Sequence, residues 1–548
     1  MPLLSVSGFC AIVDKKSLAN CVSFDIEEGS ITGIVGESGS GKSVTCMGLT
    51  QLLPHTISTQ GQVIYKDINQ QITNLLSCSN EVLRQLRGKE IAYIFQEPMT
   101  ALNPVHTCGF QVEESIGVHQ NLSKKQRKEK VLALFQEVKL PEIERMYNSY
   151  PHQISGGQRQ RVMISMALAN DPRLLIADEP TTALDASVQK SIIDLLTSMV
   201  KKRNMAMIFI SHDLSCLKSV ADYILVMYKG NVVERGITSK IFSEPEHPYT
   251  KALMLTRPNY KLAGKVLPTI PDLLQESSKG EFAEKKFNDF ERQQQVIGEV
   301  ILRVQDLEKT YLKKQIFKKQ KSPTSVLDKI SFDVKQGETI GIVGESGCGK
   351  STLAKILTNL ESATRGFVEI KSGATKEIGR HIQMVFQDPF SSLNPSLTAG
   401  QAVMEPLLVH KLANKVQAKI RAKELLSLTN LSEDFFYKYP HQMSGGQRQR
   451  LCIARALSLE PSILILDESV AALDVSVQSQ ILNLLKDIQL KLGLTYLFIS
   501  HDLNVVGYMA DSIIVLRNGK IEEQGKALTI IEKPQSEYAQ FLVSCMYD

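Results

Sequence analysis

The chain has 548 residues, 43% hydrophobic and 22% charged, which is ample for several cores and too long for one ordinary domain. A net charge of only +5 argues against the concentrated basic face that a nucleic-acid binder presents. Nine cysteines with no Cys-x-x-Cys pair argue against a structural zinc site and a disulfide framework, and fit a reducing compartment.

At the N-terminus, residues 1–13 carry no basic region leading into a long apolar stretch, so no secretory signal is expected. No window approaches the roughly 18 apolar residues of a membrane-spanning helix. The expectation is a soluble chain whose membrane role is borrowed from partners.

The first element is a short apolar strand, Ile31–Val35, followed by Gly36-Glu37-Ser38-Gly39-Ser40-Gly41-Lys42-Ser43 and a helix-compatible run at 44–53. Strand, glycine-rich loop and helix in that order make a phosphate-binding loop. Its glycines let successive amide N–H groups point at phosphates, and the helix N-terminus adds positive potential. Lys42 is expected on the β- and γ-phosphates and Ser43 on magnesium. The polar segment 60–90 reads as a surface insertion. Gln96 follows as a weaker candidate.

Further along stands Ser155-Gly156-Gly157-Gln158, and then the apolar run 174–177 ending in Asp178-Glu179. A strand apolar on both faces is a central parallel strand, and such sheets bind ligands beyond their carboxyl ends. Asp178 therefore suits magnesium and Glu179 suits polarising an attacking water. His212 ends a second apolar strand at 205–210 and is expected at the γ-phosphate. The segment 260–298, with two prolines and a charged run, reads as an exposed linker. Domains are placed at 1–259 and 299–548. The basic stretch 313–321 reads as a solvated hairpin loop, with contact to anionic lipid headgroups as the alternative.

Every one of these motifs then recurs in the same order. The second loop is Gly344-Glu345-Ser346-Gly347-Cys348-Gly349-Lys350-Ser351, after the strand Thr339–Val343. Gln387, Ser444-Gly445-Gly446-Gln447, Asp467-Glu468 and His501 repeat the rest, with the roles of their counterparts. One domain is written twice. Cys348 reads as a tolerated small residue or, beside a helix N-terminus, as a thiol of lowered pKa.

In this order, twice, the motifs resemble the ATP-binding cassette (ABC) ATPases over nearly the whole chain, and the Ser-Gly-Gly-Gln element is the specific one. The resemblance implies two tandem α/β cassettes, each a mixed or parallel β core with a helical signature subdomain. It implies head-to-tail pairing within the chain, so that 36–43 faces 444–447 and 344–351 faces 155–158. Ser155 and Ser444, as helix caps, then offer each nucleotide a second anion-binding face. ATP and Mg2+ are the implied ligands, with Gln96 and Gln387 sensing metal and water.

Narrower features, 97–104 and 388–395 after the glutamines and 244–253 with its echo at 533–542, resemble the peptide/nickel importer ATPases. Fusion of both cassettes looks most like the Yej-type subunit of a bacterial oligopeptide importer. This implies two integral-membrane permease subunits, a periplasmic substrate-binding protein acting through them, and a place on the cytoplasmic face of the inner membrane. Nickel, glutathione or a peptide-like antibiotic are alternative cargoes. A twin-cassette protein of ribosomes or DNA fits poorly, because the linker is mixed in charge and has no cysteine, which also argues against an iron–sulfur cluster. The adenine-stacking aromatics implied near each cassette's start are Phe9 and Tyr311. Where the first cassette has Pro180-Thr181-Thr182, the second has Ser469-Val470-Ala471. Loss of a hydroxyl expected to bond across the interface, worth about 1 kcal/mol, predicts unequal turnover at the two sites.

Overall fold

A computed structural model describes residues 2–96, 101–182, 184–278, 297–313, 322–371, 378–471 and 473–546. The first four residues of the 97–104 motif, most of the basic stretch 313–321 and the linker segment 279–296 lie outside the described residues.

Among the described residues each half contains two sheets. In the first, β1 (Leu4–Val13), β2 (Lys16–Ile26), β4 (Ser58–Lys66) and β5 (Ile72–Asn74) form an antiparallel sheet in the order β2-β1-β4-β5. β3 (Ile31–Val35), β6 (Ile91–Ile94), β7 (Leu174–Asp178), β8 (Ala206–Ser211), β9 (Tyr223–Tyr228) and β10 (Asn231–Ile237) form the other, in the order β10-β9-β3-β8-β7-β6. β3, β7 and β8 are buried at every position, as strands packed on both faces must be, and all pairings except β9 with β10 are parallel.

The second half repeats this. β11 (Val300–Lys313), β12 (Ser322–Lys335) and β14 (Arg365–Ile370) make its antiparallel sheet. β13 (Thr339–Val343), β15 (Ile382–Val385), β16 (Ile463–Asp467), β17 (Thr495–Ile499), β18 (Ser512–Arg517) and β19 (Lys520–Lys526) make its mixed sheet, in the order β15-β16-β17-β13-β18-β19. A helical layer adjoins each core. It includes Cys108–His119, Lys124–Glu137 and Gly156–Leu168 in one half, and Ala399–Val409, Lys415–Leu428 and Gly445–Leu457 in the other. The two tandem α/β cassettes with helical subdomains read from the sequence are present.

Two expectations are corrected here. The segment 60–90 is no surface insertion: Val63 and Tyr65 on β4 are fully buried, and Leu75 and Leu83 nearly so. Its polar residues hide a period-2 apolar face that completes the antiparallel sheet. Likewise the start of the supposed exposed linker is packed. Leu267 is buried in the core of the second half, while Ile270 and Leu273 are buried in that of the first. The Asn483 side chain accepts from the Leu267 N–H at 3.0 Å and donates to its carbonyl at 2.8 Å, and Tyr508 Oη donates to the Lys265 carbonyl at 2.9 Å. This short segment is a brace between the halves. Its two prolines, Pro268 and Pro271, gave it the look of a linker, while its apolar residues Leu267, Ile270 and Leu273 find their partners in both cores.

Candidate functional site

The two phosphate loops leave β3 and β13 and enter the helices Lys42–Leu49 and Lys350–Leu357. Gly39 and Gly347 adopt φ of 77° and 84°, with open space where a Cβ would stand. That left-handed backbone lets the loop curl with its amides on the inner side. Lys42 Nζ donates to the carbonyls of Gly36 and Glu37 at 2.7 and 2.9 Å, and Lys350 Nζ to those of Gly344 and Glu345 at 2.6 and 2.9 Å. Burial lowers the pKa of Lys42, against the attraction of Glu179 and other nearby acids.

The structure brings the carboxylates of β7 and β16 to these loops. Ser43 Oγ donates to Asp178 Oδ1 at 3.0 Å and Tyr93 Oη to Oδ2 at 3.0 Å. Ser351 bonds the Asp467 carboxylate, yet Asp467 Oδ1 is buried with no hydrogen-bond partner among the described residues. Met384 occupies the register position of Tyr93, which explains the orphaned oxygen. Burial raises the pKa of both aspartates. A buried acceptor left unpaired is costly, and a divalent cation held by Asp and Ser oxygens fits this donor set.

Glu179 is enclosed by three donors. Gln96 Nε2 lies 3.0 Å away, Thr182 Oγ1 2.9 Å and His212 Nδ1 3.1 Å. Burial alone would raise its pKa, but the hydrogen bond and charge of His212, with Lys42 and Thr182, hold it at about 2. The same contact raises His212 against its burial. Glu468 has Gln387 at 2.8 Å and His501 at 3.7 Å, with Ala471 where the first half has Thr182. Its pKa is also lowered. The hydroxyl expected to reach across the interface therefore acts inside its own half.

Contacts across the interface come from other residues. Ser187 Oγ donates to Glu345 at 2.8 Å, the Ser346 N–H donates to Asp185 at 3.3 Å, and Ser476 returns the contact to Glu37. Ser155 and Ser444 cap the helices Gly156–Leu168 and Gly445–Leu457 as capping boxes with Gln158 and Gln447. A Cβ on Gly157 would strike Val188, and one on Gly446 would strike Val477. Each signature helix thus packs on the segment that reaches the other half's loop. A cavity of about 130 Å³ between the halves is lined by both His212 and His501.

One sequence reading fails, and one of the two readings of Cys348 is removed. Phe9 is fully buried, wedged against Gly48 on the helix below the first loop, and cannot stack on a base. Strand register matches it to buried Leu307, and matches Tyr311 to Val13. Its chemical type suggested a platform, but position decided otherwise. Tyr311 is 38% exposed and bonds Glu361 and Thr352 beside the second loop. Cys348 is buried, which raises its pKa rather than lowering it. Sequence reasoning missed Tyr249 and Tyr538, whose hydroxyls accept the N–H of Glu37 and Glu345, each at 3.0 Å. The repeated Pro-x-x-x-Tyr spacing at 245–249 and 534–538 was the available signal.

Two loops with paired carboxylates, each touched by the other half, define a twin-cassette ATPase. The chain belongs to the ABC transporter family, which matches residues 19–182 and 327–471; residues 233–287 match the oligopeptide/dipeptide transporter C-terminal region. Among curated relatives, the glutathione import ATP-binding protein of Pectobacterium atrosepticum is 40% identical over 539 residues, covering 96% of this chain and 86% of the relative. Its namesake from Salmonella typhimurium is 41% identical over 537 residues, with the same coverage of both chains. A solved ATP-binding cassette dimer bound to ADP and Pi is 33% identical, covering 41% of this chain and 99% of that one, with a TM-score of 0.37.

Proposed function

We propose that this chain powers a membrane importer of peptides, hydrolysing ATP at two sites that are each built from both halves. The observation that carries the composite sites is the reciprocal contact of Asp185 and Ser187 with the second loop and of Ser476 with the first. ATP bound on 36–43 would be closed over by Ser444–Gln447, and ATP on 344–351 by Ser155–Gln158, through helix N-termini that favour anions.

In each site the lysine, Lys42 or Lys350, turns from its own loop's carbonyls to the β- and γ-phosphates. Ser43 with Asp178, and Ser351 with Asp467, would hold Mg2+, which supplies charge neutralisation on the phosphates. Gln96 and Gln387 orient the attacking water, Glu179 and Glu468 accept its proton, and His212 and His501 hold the γ-phosphate. Tyr311 supplies the adenine platform of the second loop. Tyr311→Ala is expected to weaken ATP at that site by about 1–3 kcal/mol, while Phe9→Leu leaves nucleotide affinity unchanged, as read by titration with a fluorescent ATP analogue.

The Thr182 contact supports unequal turnover. Thr182→Ala should slow hydrolysis several-fold, about the value of one hydrogen bond near 1 kcal/mol, and Ala471→Thr should raise it. Single-turnover rates of the two variants check both signs.

Two permease subunits and a periplasmic binding protein complete the machine, with this chain on the cytoplasmic face of the inner membrane. No helix among the described residues is long and apolar enough to cross a membrane. Leu52, Phe95 and Val118 line an apolar cleft of about 300 Å³ next to Gln96, where a permease segment would transmit closure. A match of 233–287 to the oligopeptide/dipeptide transporter region supports peptide cargo, and the relatives' name favours glutathione, itself a tripeptide. Reconstitution with the cognate permeases tests both. Stimulation of ATPase by a glutathione-loaded binding protein alone selects the narrower cargo, and no stimulation by any peptide overturns the proposal.

A further inference from the structure

Six of the nine cysteines are buried, as free thiols usually are. Cys10 and Cys21 are different: Cys21 is exposed and Cys10 half-buried, and their sulfurs lie 3.7 Å apart across the β1–β2 pair. The strand register is irregular here, between Phe9 and Ala11, and Cys21 takes a φ of 48°. The irregularity turns the two side chains toward each other. In the second half the matching positions are Glu308 and Lys329, the latter with a φ of 52°. The matching positions thus carry opposite charges in one half and two thiols in the other.

The surroundings favour chemistry at this pair. The Cys21 N–H donates to Cys10 Sγ at 3.2 Å, so the Cys10 sulfur is held by the backbone of the facing strand. Hydrogen bonding to Cys10, and then its charge, raises the pKa of Cys21. Cys21 also borders an open cleft of about 710 Å³ that contains Arg235 and His247, wide enough to admit a small disulfide.

We propose that Cys10 and Cys21 are a thiol–disulfide exchange site that takes a low-molecular-weight disulfide such as glutathione disulfide. The Cys10 thiolate attacks one sulfur of glutathione disulfide, breaking its S–S bond, forming a mixed disulfide and releasing one glutathione thiolate. Cys21, deprotonated by water, attacks the Cys10 sulfur and expels the second glutathione thiolate. The protein loses two protons and two electrons in all, and one glutathione disulfide becomes two glutathione molecules. Closing the bond draws the sulfurs from 3.7 Å to about 2.05 Å. An exposed disulfide of this kind is labile in a reducing compartment and follows the local glutathione poise.

The full chain is titrated with mixtures of reduced and oxidised glutathione, trapped by alkylation and digested without reduction. The expected product is a peptide linking Cys10 to Cys21, reversed by dithiothreitol, with Cys46, Cys108 and Cys216 still alkylated after denaturation. Cys21→Ser should stop at a glutathionyl adduct on Cys10, and Cys10→Ser should give no cross-link. The double serine variant should keep the basal ATPase rate, separating exchange from folding. Accumulation of a stable glutathionyl adduct in the unmutated chain would overturn the proposal, as would full alkylation of both thiols at a large excess of oxidised glutathione.

Discussion

Replacing Glu179 with Gln is expected to lower the steady-state ATPase rate of the full chain more than replacing Glu468. A general base contributes about 10²–10⁴-fold to the step it serves, so each substitution should nearly silence its own site. What remains is the rate of the other site. Glu179 is aimed by Gln96, Thr182 and His212, all within 3.1 Å, whereas Glu468 has Gln387 at 2.8 Å and a histidine 3.7 Å away. Preorganisation of the base favours the first site. Glu179→Gln should therefore leave the slower residual activity. Equal residual rates in the two variants would show that the Thr182-to-Ala471 difference has no kinetic meaning.

The second large effect concerns how the halves stay together without nucleotide. Asn483 satisfies both the N–H and the carbonyl of Leu267, a residue only 1% exposed. Asn483→Ala leaves two enclosed backbone groups unpaired, at about 1–3 kcal/mol each. With a protease site placed within 279–296 and cut, the fragments of the unmutated chain should remain associated in the absence of ATP. The Asn483→Ala fragments should bind each other at least about tenfold more weakly, since 1.4 kcal/mol is a factor of ten. Size-exclusion chromatography of the cut proteins reads the difference. Separation of the unmutated fragments would mean that the brace contributes little beyond the covalent link.

Much of this was legible in the chain because the decisive features are local. A glycine loop between a strand and a helix, or two acids ending an apolar strand, carries its context within about ten residues. Doubling fixed the order and the architecture. What sequence did not disclose depends on distant partners. Phe9 has the chemistry of a stacking platform, but only strand register against Val22 turns it under Gly48. Thr182 was expected to bond across the interface, yet the turn after Glu179 folds its hydroxyl back onto that carboxylate. Leu267 looked like linker because its backbone partner, Asn483, and much of the core it joins belong to the second half, far along the chain.

The tyrosine hydroxyls that accept the Glu37 and Glu345 amides have a practical consequence for dissecting this protein. A minimal cassette cut after the last strand of its sheet, at Ile237 or Lys526, would keep every recognisable motif and lose the group against which its loop rests. Such fragments should fold around an intact sheet and still bind nucleotide poorly. Each half keeps its loop support only when it extends through the helices Pro248–Leu255 and Glu537–Ser544, so these tails are structural parts of the two loops' surroundings.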